Sequence, residues 1–202
     1  MAIDAVIFDF GGVLMDWNPD YLYRKLIPDP VARRHFLTEI CNGAWNGEQD
    51  RGRPWAEAIA ELSAIHPDKA PLIRAYRERW LEMLAGPIVP GVELVRRLDA
   101  AGCALYGLTN WSSETFDLAR PHMPYLDRLR DTVVSGEVKL TKPDARIFRL
   151  LLDRNGLVPE QTAFVDDHAP NIEAAKALGL RAVLHQDSAD TEVQLRALGL
   201  QF

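Results

Sequence analysis

The sequence predicts an α/β fold in which a doubly wound parallel sheet carries an inserted helical segment. Short apolar segments alternate with helical patterns, and the first two apolar segments are separated by far more chain than one crossover helix needs. The apolar segments are rich in β-branched residues, as is typical of strands that are buried on both faces of a parallel sheet. The predicted strands are residues 5–10, 103–110, 131–135, 162–167 and 181–185.

Helices are predicted before the second strand and after the third and fourth strands. Apolar residues recur there at three- and four-residue spacing, and a glycine follows each pattern, as is common at helix C-termini. Strand–helix–strand units of this kind predict right-handed crossovers and helices on both faces of the sheet. The predicted helices are residues 92–101, 145–155 and 171–178.

An insert at residues 19–87 interrupts the first crossover and leaves residues 1–18 and 88–202 for the sheet domain. Apolar residues at helical spacing predict helices at residues 21–26, 31–41, 55–66 and 71–84. The insert also contains Trp45, Trp55 and Trp80. Two interpretations of these aromatics remain open, because they could form the core of a small helical bundle or line a pocket that faces the sheet.

Charge and apolar patterning exclude several classes of protein. The 202 residues include 23 Lys plus Arg against 29 Asp plus Glu, a net charge of −6, and no basic block that would bind nucleic acid. No stretch approaches the ~18 consecutive apolar residues of a membrane span, and the N-terminus lacks the basic start of a signal peptide. Cys41 and Cys103 suggest neither a metal cluster nor a disulfide framework. We therefore expect a soluble cytoplasmic protein; its oligomeric state is left open.

The candidate site lies at the carboxyl ends of the strands, where open parallel sheets bind ligands. Paired carboxylates there are the oxygen ligands that Mg²⁺ prefers, and a lysine ammonium supplies a compact positive charge. A hydroxyl, an amide and nearby backbone N–H groups could hold anionic oxygens, so the set suits phosphoryl transfer. The candidates are Asp9, Thr109, Asn110, Asp166 and Asp167 at strand ends and Lys142 in a loop.

Four strings resemble the ordered motifs of the haloacid dehalogenase superfamily: FDFGGVL, LTN, KPD, and FVDD followed by NIEAA. The resemblance covers nearly the whole chain, and the insert after the first motif resembles the helical cap of that superfamily's first subfamily. It implies a Rossmann-like core, a phosphatase that requires Mg²⁺, and a small phosphorylated substrate such as a sugar phosphate.

The resemblance also implies roles for individual residues. Asp9 resembles the nucleophile that attacks phosphorus and forms an aspartyl-phosphate. Thr109 is similar to the hydroxyl that binds a phosphoryl oxygen with the help of the Asn110 main chain, and Lys142 to the lysine that bridges the nucleophile and the phosphate. Trp111 is expected at the pocket mouth, where it would stack on substrate or pack against the insert.

The metal site is implied by the same resemblance. Asp9 and Asp167 resemble direct Mg²⁺ ligands, and the carbonyl oxygen of Gly11 would complete the protein ligands. Asp166 would act on the metal through water.

Gly11 departs from the pattern, because phosphatases of this superfamily usually have there a second aspartate that protonates the leaving group and later activates water. Losing a general acid/base typically costs ~10²–10⁴-fold in rate. The candidate replacements are Asp16, His168 and a metal-bound water.

Two other functions are compatible with this departure. One is metal-free hydrolysis of a 2-haloacid, which the acidic pair Asp166-Asp167 disfavours because it would repel a carboxylate substrate. The other is a phosphate- or partner-binding module with little turnover.

Overall fold

All five predicted strands form one parallel sheet in the computed structural model, which describes residues 3–202. The strands in chain order are β1 (Ala5–Phe8), β2 (Met15–Trp17), β3 (Leu84–Pro87), β4 (Ala104–Thr109), β5 (Asp131–Val134), β6 (Thr162–Asp166) and β7 (Arg181–Leu184). The sheet order is β5-β4-β1-β6-β7, with every neighbouring pair parallel. The chain winds outward from β1 through β4 and β5, then returns past β1 to β6 and β7. The predicted doubly wound α/β fold is confirmed.

The predicted core helices are present. Their observed starts differ from the prediction where proline lies in the first turn, a position that costs no hydrogen bond because the first N–H groups of a helix have no partner. Pro90 and Pro170 therefore lie inside α6 and α10 rather than before them. The α-helices of the described residues are α1 (Asp20–Leu26), α2 (Pro30–His35), α3 (Gly43–Asp50), α4 (Trp55–Ile65), α5 (Ala70–Glu78), α6 (Val89–Ala100), α7 (Ser113–Ala119), α8 (Ser135–Val138), α9 (Ala145–Asn155), α10 (Ala169–Ala177) and α11 (Ser188–Ala197).

Side chains alternate between the two faces of the sheet, as the two-residue period of a strand requires. On β1, Ala5 and Ile7 pack into a cluster with α9 and α10, whereas Val6 and Phe8 pack into a larger cluster with α6 and the insert. Apolar residues therefore cover both faces of β1, which places the end of this strand at the centre of the fold.

The insert is helical except at its C-terminal end, where β3 pairs with β2 in a two-stranded antiparallel ribbon that the sequence pattern does not reveal. Two predicted helices are shorter than expected: α2 continues into a π-helical turn at Phe36–Ile40, and α5 is followed by a 3₁₀ turn at Trp80–Met83. The helix α3 is an addition, because no pattern predicted it. Among residues 3–202, no helix combines the length and apolar composition needed to cross a membrane.

Candidate active site

Asp9 follows β1 directly and is nearly buried, with a relative accessibility of 9%. The backbone N–H of Phe10 donates to Oδ1 of Asp9 at 2.6 Å. Burial raises the pKa of Asp9 to about 7; the charge of Asp166 adds to this rise, and the charge of Lys142 opposes it. The protein therefore holds the Asp9 carboxyl group in an environment with too little positive charge to compensate its ionised form.

Lys142 supplies the buried positive charge of the site. Its Nζ lies 2.9 Å from Oδ1 of Asp9 and 2.6 Å from Oδ2 of Asp166. Burial alone would lower the pKa of Lys142, but the two carboxylates outweigh it and hold this pKa above its usual value. One ammonium between two carboxylates leaves a net negative charge.

Asn110 positions this lysine rather than offering its side chain to a ligand. Its Oδ1 accepts the backbone N–H of Lys142 at 2.8 Å, and its Nδ2 donates to the Lys142 carbonyl at 3.0 Å. The side-chain amide of Asn110 is thus bonded to the backbone of Lys142. Of the two Asn110 groups predicted to bind phosphate, only the main-chain N–H stays available.

Asp166 is fully buried, and both of its oxygens are bonded within the protein. Besides Lys142, it accepts hydrogen bonds from Nδ2 of Asn171 at 3.0 Å to each oxygen and from the His168 backbone N–H at 2.8 Å. Asn171 therefore orients Asp166. These bonds fix Asp166 in place and leave it little freedom to bind a metal directly.

Asp167 is exposed and lies over the turn after β1. Its Oδ2 would be only 2.3 Å from a Cβ at Gly12, which has φ +71°, so glycine is required there for space as well as for the turn. Oxygens of Asp9, Asp166 and Asp167 all lie within 4.8 Å of one another. These carboxylates are the residues that could hold a hard divalent cation.

The loop after β4 forms a second wall of the site. Thr109 ends β4 and is buried. Trp111 donates its backbone N–H to Oγ of Ser135 at 2.9 Å, and its indole lies 5.4 Å from that of Trp80 in the insert. Trp111 therefore packs against the insert and also lines the cavity described next, and stacking on a substrate stays a prediction.

A cavity of about 250 Å³ opens beside Asp9 between the sheet edge and the insert. The insert contributes Asn46, Asp50 and Trp80 to its wall. Of the candidate site residues, Thr109, Asp166 and Asp167 are not on this wall within residues 3–202. The residues that line the cavity are Asp9, Gly11, Trp17, Asn46, Asp50, Trp80, Asn110, Trp111, Thr115, Lys142, His168 and Asn171.

Two tryptophans of the insert form its core, and the third lines the cavity. Trp45 and Trp55 pack edge-to-face at 5.5 Å, and Trp55 stacks on Tyr76 at 5.5 Å, so they form the insert's core. Trp80 faces the cavity instead, together with Trp17, which the sequence analysis did not single out.

The candidate proton donors differ in whether they line the cavity. Both carboxylate oxygens of Asp16 accept the hydroxyl of Tyr21 at 3.0 Å, and Asp16 does not line the cavity within the described chain. His168 lines the cavity and is exposed to solvent. Asp50 lines the cavity as well and was missed, because no motif or helical pattern marks residues 43–50.

Comparison with known proteins connects this geometry to a family. A family model described as haloacid dehalogenase-like hydrolase matches residues 3–179. The chain is 28% identical to the sesquiterpene phosphatase astK of Aspergillus oryzae, over 96% of this chain and 95% of that protein. It is also 28% identical to the phosphorylated carbohydrates phosphatase of Thermotoga maritima, over 90% of this chain and 84% of that protein.

Solved structures give the same result for the fold. A haloacid dehalogenase family enzyme from Bacteroides thetaiotaomicron, solved as a magnesium complex, matches with a TM-score of 0.73 and 21% identity. The match covers 92% of this chain and 94% of that one. At this level of identity the likeness concerns the arrangement of strands and helices.

Proposed function

The chain belongs to the haloacid dehalogenase-like hydrolases and is an enzyme of the phosphatase type, and from this premise we propose that it hydrolyses small phosphomonoesters through an aspartyl-phosphate on Asp9. The observation that carries the proposal is the position of Asp9 at the cavity wall, 2.9 Å from the buried ammonium of Lys142. A nucleophile and a phosphate ester are both anionic, so a cation between them is what the attack requires.

In the proposed reaction, an oxygen of Asp9 attacks phosphorus and displaces the alcohol, and water then hydrolyses the aspartyl-phosphate. Lys142 offsets the repulsion between the nucleophile and the phosphoryl oxygens. The Thr109 hydroxyl and the Asn110 main-chain N–H would bind those oxygens. Asp166 and Asn171 keep Lys142 oriented through the bonds described above.

Mg²⁺ fits the cluster, because three carboxylates with oxygens within 4.8 Å of one another face a single ammonium and carry excess negative charge. We propose Asp9, Asp167 and the carbonyl oxygen of Gly11 as its protein ligands, with Asp166 acting through water. Bound there, Mg²⁺ would neutralise charge between the carboxylates and the phosphoryl group.

The cavity favours a compact substrate with an apolar face. Trp17, Trp80 and Trp111 line it, and the insert also contributes Asn46 and Asp50 to its wall. A sugar phosphate combines faces that stack on indole rings with hydroxyls that bond to polar side chains. We therefore propose residues 19–87 as the cap that selects a sugar-phosphate-like substrate. We also propose the cytoplasm as the compartment.

The two alternatives receive less support. Haloacid hydrolysis would bring a substrate carboxylate toward three clustered protein carboxylates. A module that only binds would not need a lysine buried against a nucleophilic carboxylate, an arrangement whose desolvation is costly.

The test is release of phosphate from p-nitrophenyl phosphate with and without Mg²⁺, in the wild type and in Asp9→Asn. We expect activity that needs both Mg²⁺ and the Asp9 carboxylate. Asp16→Asn is the matched control, since that carboxylate bonds to Tyr21 outside the cavity. Turnover that survives in Asp9→Asn, or metal-independent release of halide from a 2-haloacid, would overturn the proposal.

A further inference from the structure

The departing alcohol of a phosphomonoester leaves as an alkoxide unless a proton reaches it, and Gly11 offers no acid at the position where one was expected. The geometry points to Asp50, which enters the cavity wall from the insert, as the group that protonates the leaving oxygen and then activates water. This inference rests on the proposed phosphatase reaction. It also gives the insert a chemical task beyond covering the site.

Asp50 ends α3 and is tied to both sides of the cavity. Nδ2 of Asn46, one turn earlier, donates to Oδ2 of Asp50 at 3.0 Å. The carbonyl oxygen of Asp50 accepts the Ser135 hydroxyl at 2.6 Å. Asn46 thus orients the carboxyl group and Ser135 on α8 fixes the backbone of Asp50, both through uncharged donors.

The other acidic or basic groups on the cavity wall have different positions or tasks. Asp9 and Lys142 form the nucleophile pair. His168 is the remaining titratable side chain among the described residues that line the cavity, and it is exposed to solvent. Asp50 is therefore the one acid within residues 3–202 that lines the cavity, is partly buried and is not part of the nucleophile pair.

The environment of Asp50 suits proton transfer in both directions. Burial raises the pKa of Asp50 to about 7, against the opposing effects of the Ser112 N–H and the Arg51 charge. Arg51 is itself paired with Glu48 at 2.6 Å. A group whose pKa lies near the working pH can both give and take a proton.

Two further ionisable groups lie near Asp50 on the elements packed against α3. Burial raises the pKa of Tyr76 on α5 and the charge of Asp50 adds to this rise, so the phenol remains neutral beside Asp50. The Lys139 side chain follows α8 and packs against Gly52.

The proposed reaction has two steps. In the first, an Asp9 oxygen bonds to phosphorus, the bond from phosphorus to the ester oxygen breaks, and that oxygen takes the proton of Asp50, leaving an alcohol and a carboxylate. In the second, the Asp50 carboxylate takes a proton from water as the water oxygen bonds to phosphorus. The bond from phosphorus to Asp9 then breaks, which releases inorganic phosphate and restores both acids to their starting forms.

The experiment compares p-nitrophenyl phosphate, whose leaving group needs little help from an acid, with phenyl phosphate, whose leaving group needs more. With Mg²⁺ present, Asp50→Asn should keep kcat/KM for p-nitrophenyl phosphate within about tenfold, yet lose up to ~10²–10⁴-fold on phenyl phosphate. Because Asp50 also activates water, the variant should release one equivalent of p-nitrophenol in a burst and then turn over slowly.

Two further variants separate a proton-transfer role from a structural one. Asp50→Glu keeps an acid in place and should recover much of the wild-type ratio between the two substrates. His168→Gln tests the rival donor. A leaving-group-dependent loss in His168→Gln, an equal loss on both substrates in Asp50→Asn, or no loss at all would each overturn the assignment of Asp50.

Failure of the inference is distinct from failure of the proposed function. If the wild type turns over and Asp9→Asn does not, but Asp50→Asn shows neither the burst nor the leaving-group dependence, only the role of Asp50 is wrong. If the wild type releases no phosphate from either ester in Mg²⁺, both proposals are wrong.

Discussion

Asp167 places a carboxylate oxygen in the space that a side chain on Gly12 would occupy, 2.3 Å from the position of its Cβ. The turn after the nucleophile and the acidic end of β6 are therefore packed together without room for even a methyl group. Any residue other than glycine at position 12 must displace Asp167 and also adopt φ +71°. The position of Asp167, a proposed metal ligand, thus depends on the absence of a side chain at Gly12.

We expect Gly12→Ala to raise the Mg²⁺ concentration for half-maximal activity by ~10–100-fold, as loss of support around a metal ligand commonly does. Gly156→Ala is the matched control, because Gly156 has a similar φ of 62° but nothing within 4 Å of its Cβ. Both variants should lose about 1 kcal/mol of stability through backbone strain, and only Gly12→Ala should change the Mg²⁺ titration. Equal Mg²⁺ titrations would refute the link to Asp167.

Lys142→Met should abolish turnover and destabilise the fold by ~3–5 kcal/mol, because it removes the cation from a buried pair of carboxylates. Urea unfolding in EDTA measures this effect without a contribution from Mg²⁺. The control is Lys176→Met, which removes an exposed pair with Glu173 and should change the free energy of unfolding by less than ~1 kcal/mol. A Lys142→Met variant as stable as the control would show that the ammonium is not needed to hold Asp9 and Asp166 together.

The strands of the core and the polar residues at their ends could be predicted from the sequence, because burial constrains their composition. A parallel strand buried on both faces must be apolar throughout, so a polar residue such as Asp9 or Asp166 at the end of the run marks the sheet edge. Because parallel strands end at the same edge, residues far apart in sequence could be predicted to meet. The oxygens of Asp9 and Asp166, which lie within 4.8 Å of each other, fit that expectation.

The residues that the insert contributes to the cavity could not be predicted in the same way. The segment Gly43–Asp50 has two glycines and few apolar residues, so its helical pattern is weak. The helix forms because the Asn42 side chain caps it, accepting the Trp45 N–H at 2.8 Å, and because Trp45 packs on Trp55. These contacts depend on the folded insert, so Asp50 was not recognised as part of the site.

The pKa of Asp50 predicts how stability should vary with pH. A carboxyl group with a folded-state pKa of about 7 and an ordinary value of 3.8 destabilises the fold increasingly as pH rises between these values. Asp50→Asn should therefore gain stability over the wild type between about pH 4 and 7, reaching on the order of 4 kcal/mol, and the difference should stay constant above that. Urea unfolding at several pH values measures it.

Asp144→Asn provides a control of opposite sign. Arg146 lowers the pKa of Asp144 to about 2, so this carboxylate contributes stability at neutral pH that is lost as pH falls. The Asp144→Asn variant should thus be less stable than the wild type at pH 7 and approach it in acid. If the curves of wild type and Asp50→Asn run parallel from pH 4 to 7, the pKa of Asp50 is not raised.

Position 11 allows the proton-transfer inference to be tested by gain of function. A Cβ at Gly11 would meet nothing within 4 Å, its φ lies outside the left-handed region, and Gly11 lines the cavity. Gly11→Asp should therefore fold normally and place a carboxyl group near the nucleophile. In the Asp50→Asn background it should restore a large part of the ~10²–10⁴-fold loss on phenyl phosphate and remove the p-nitrophenol burst.

The neutral isostere distinguishes a new acid from a new side chain. Gly11→Asn in the same background fills the same space without a titratable proton, so it should leave both the loss on phenyl phosphate and the burst unchanged. Equal recovery by Gly11→Asp and Gly11→Asn would mean that position 11 acts on substrate placement rather than on proton transfer. Recovery by the aspartate alone would show that the cavity needs one acid beside Asp9 and that this acid can come from either the core or the insert.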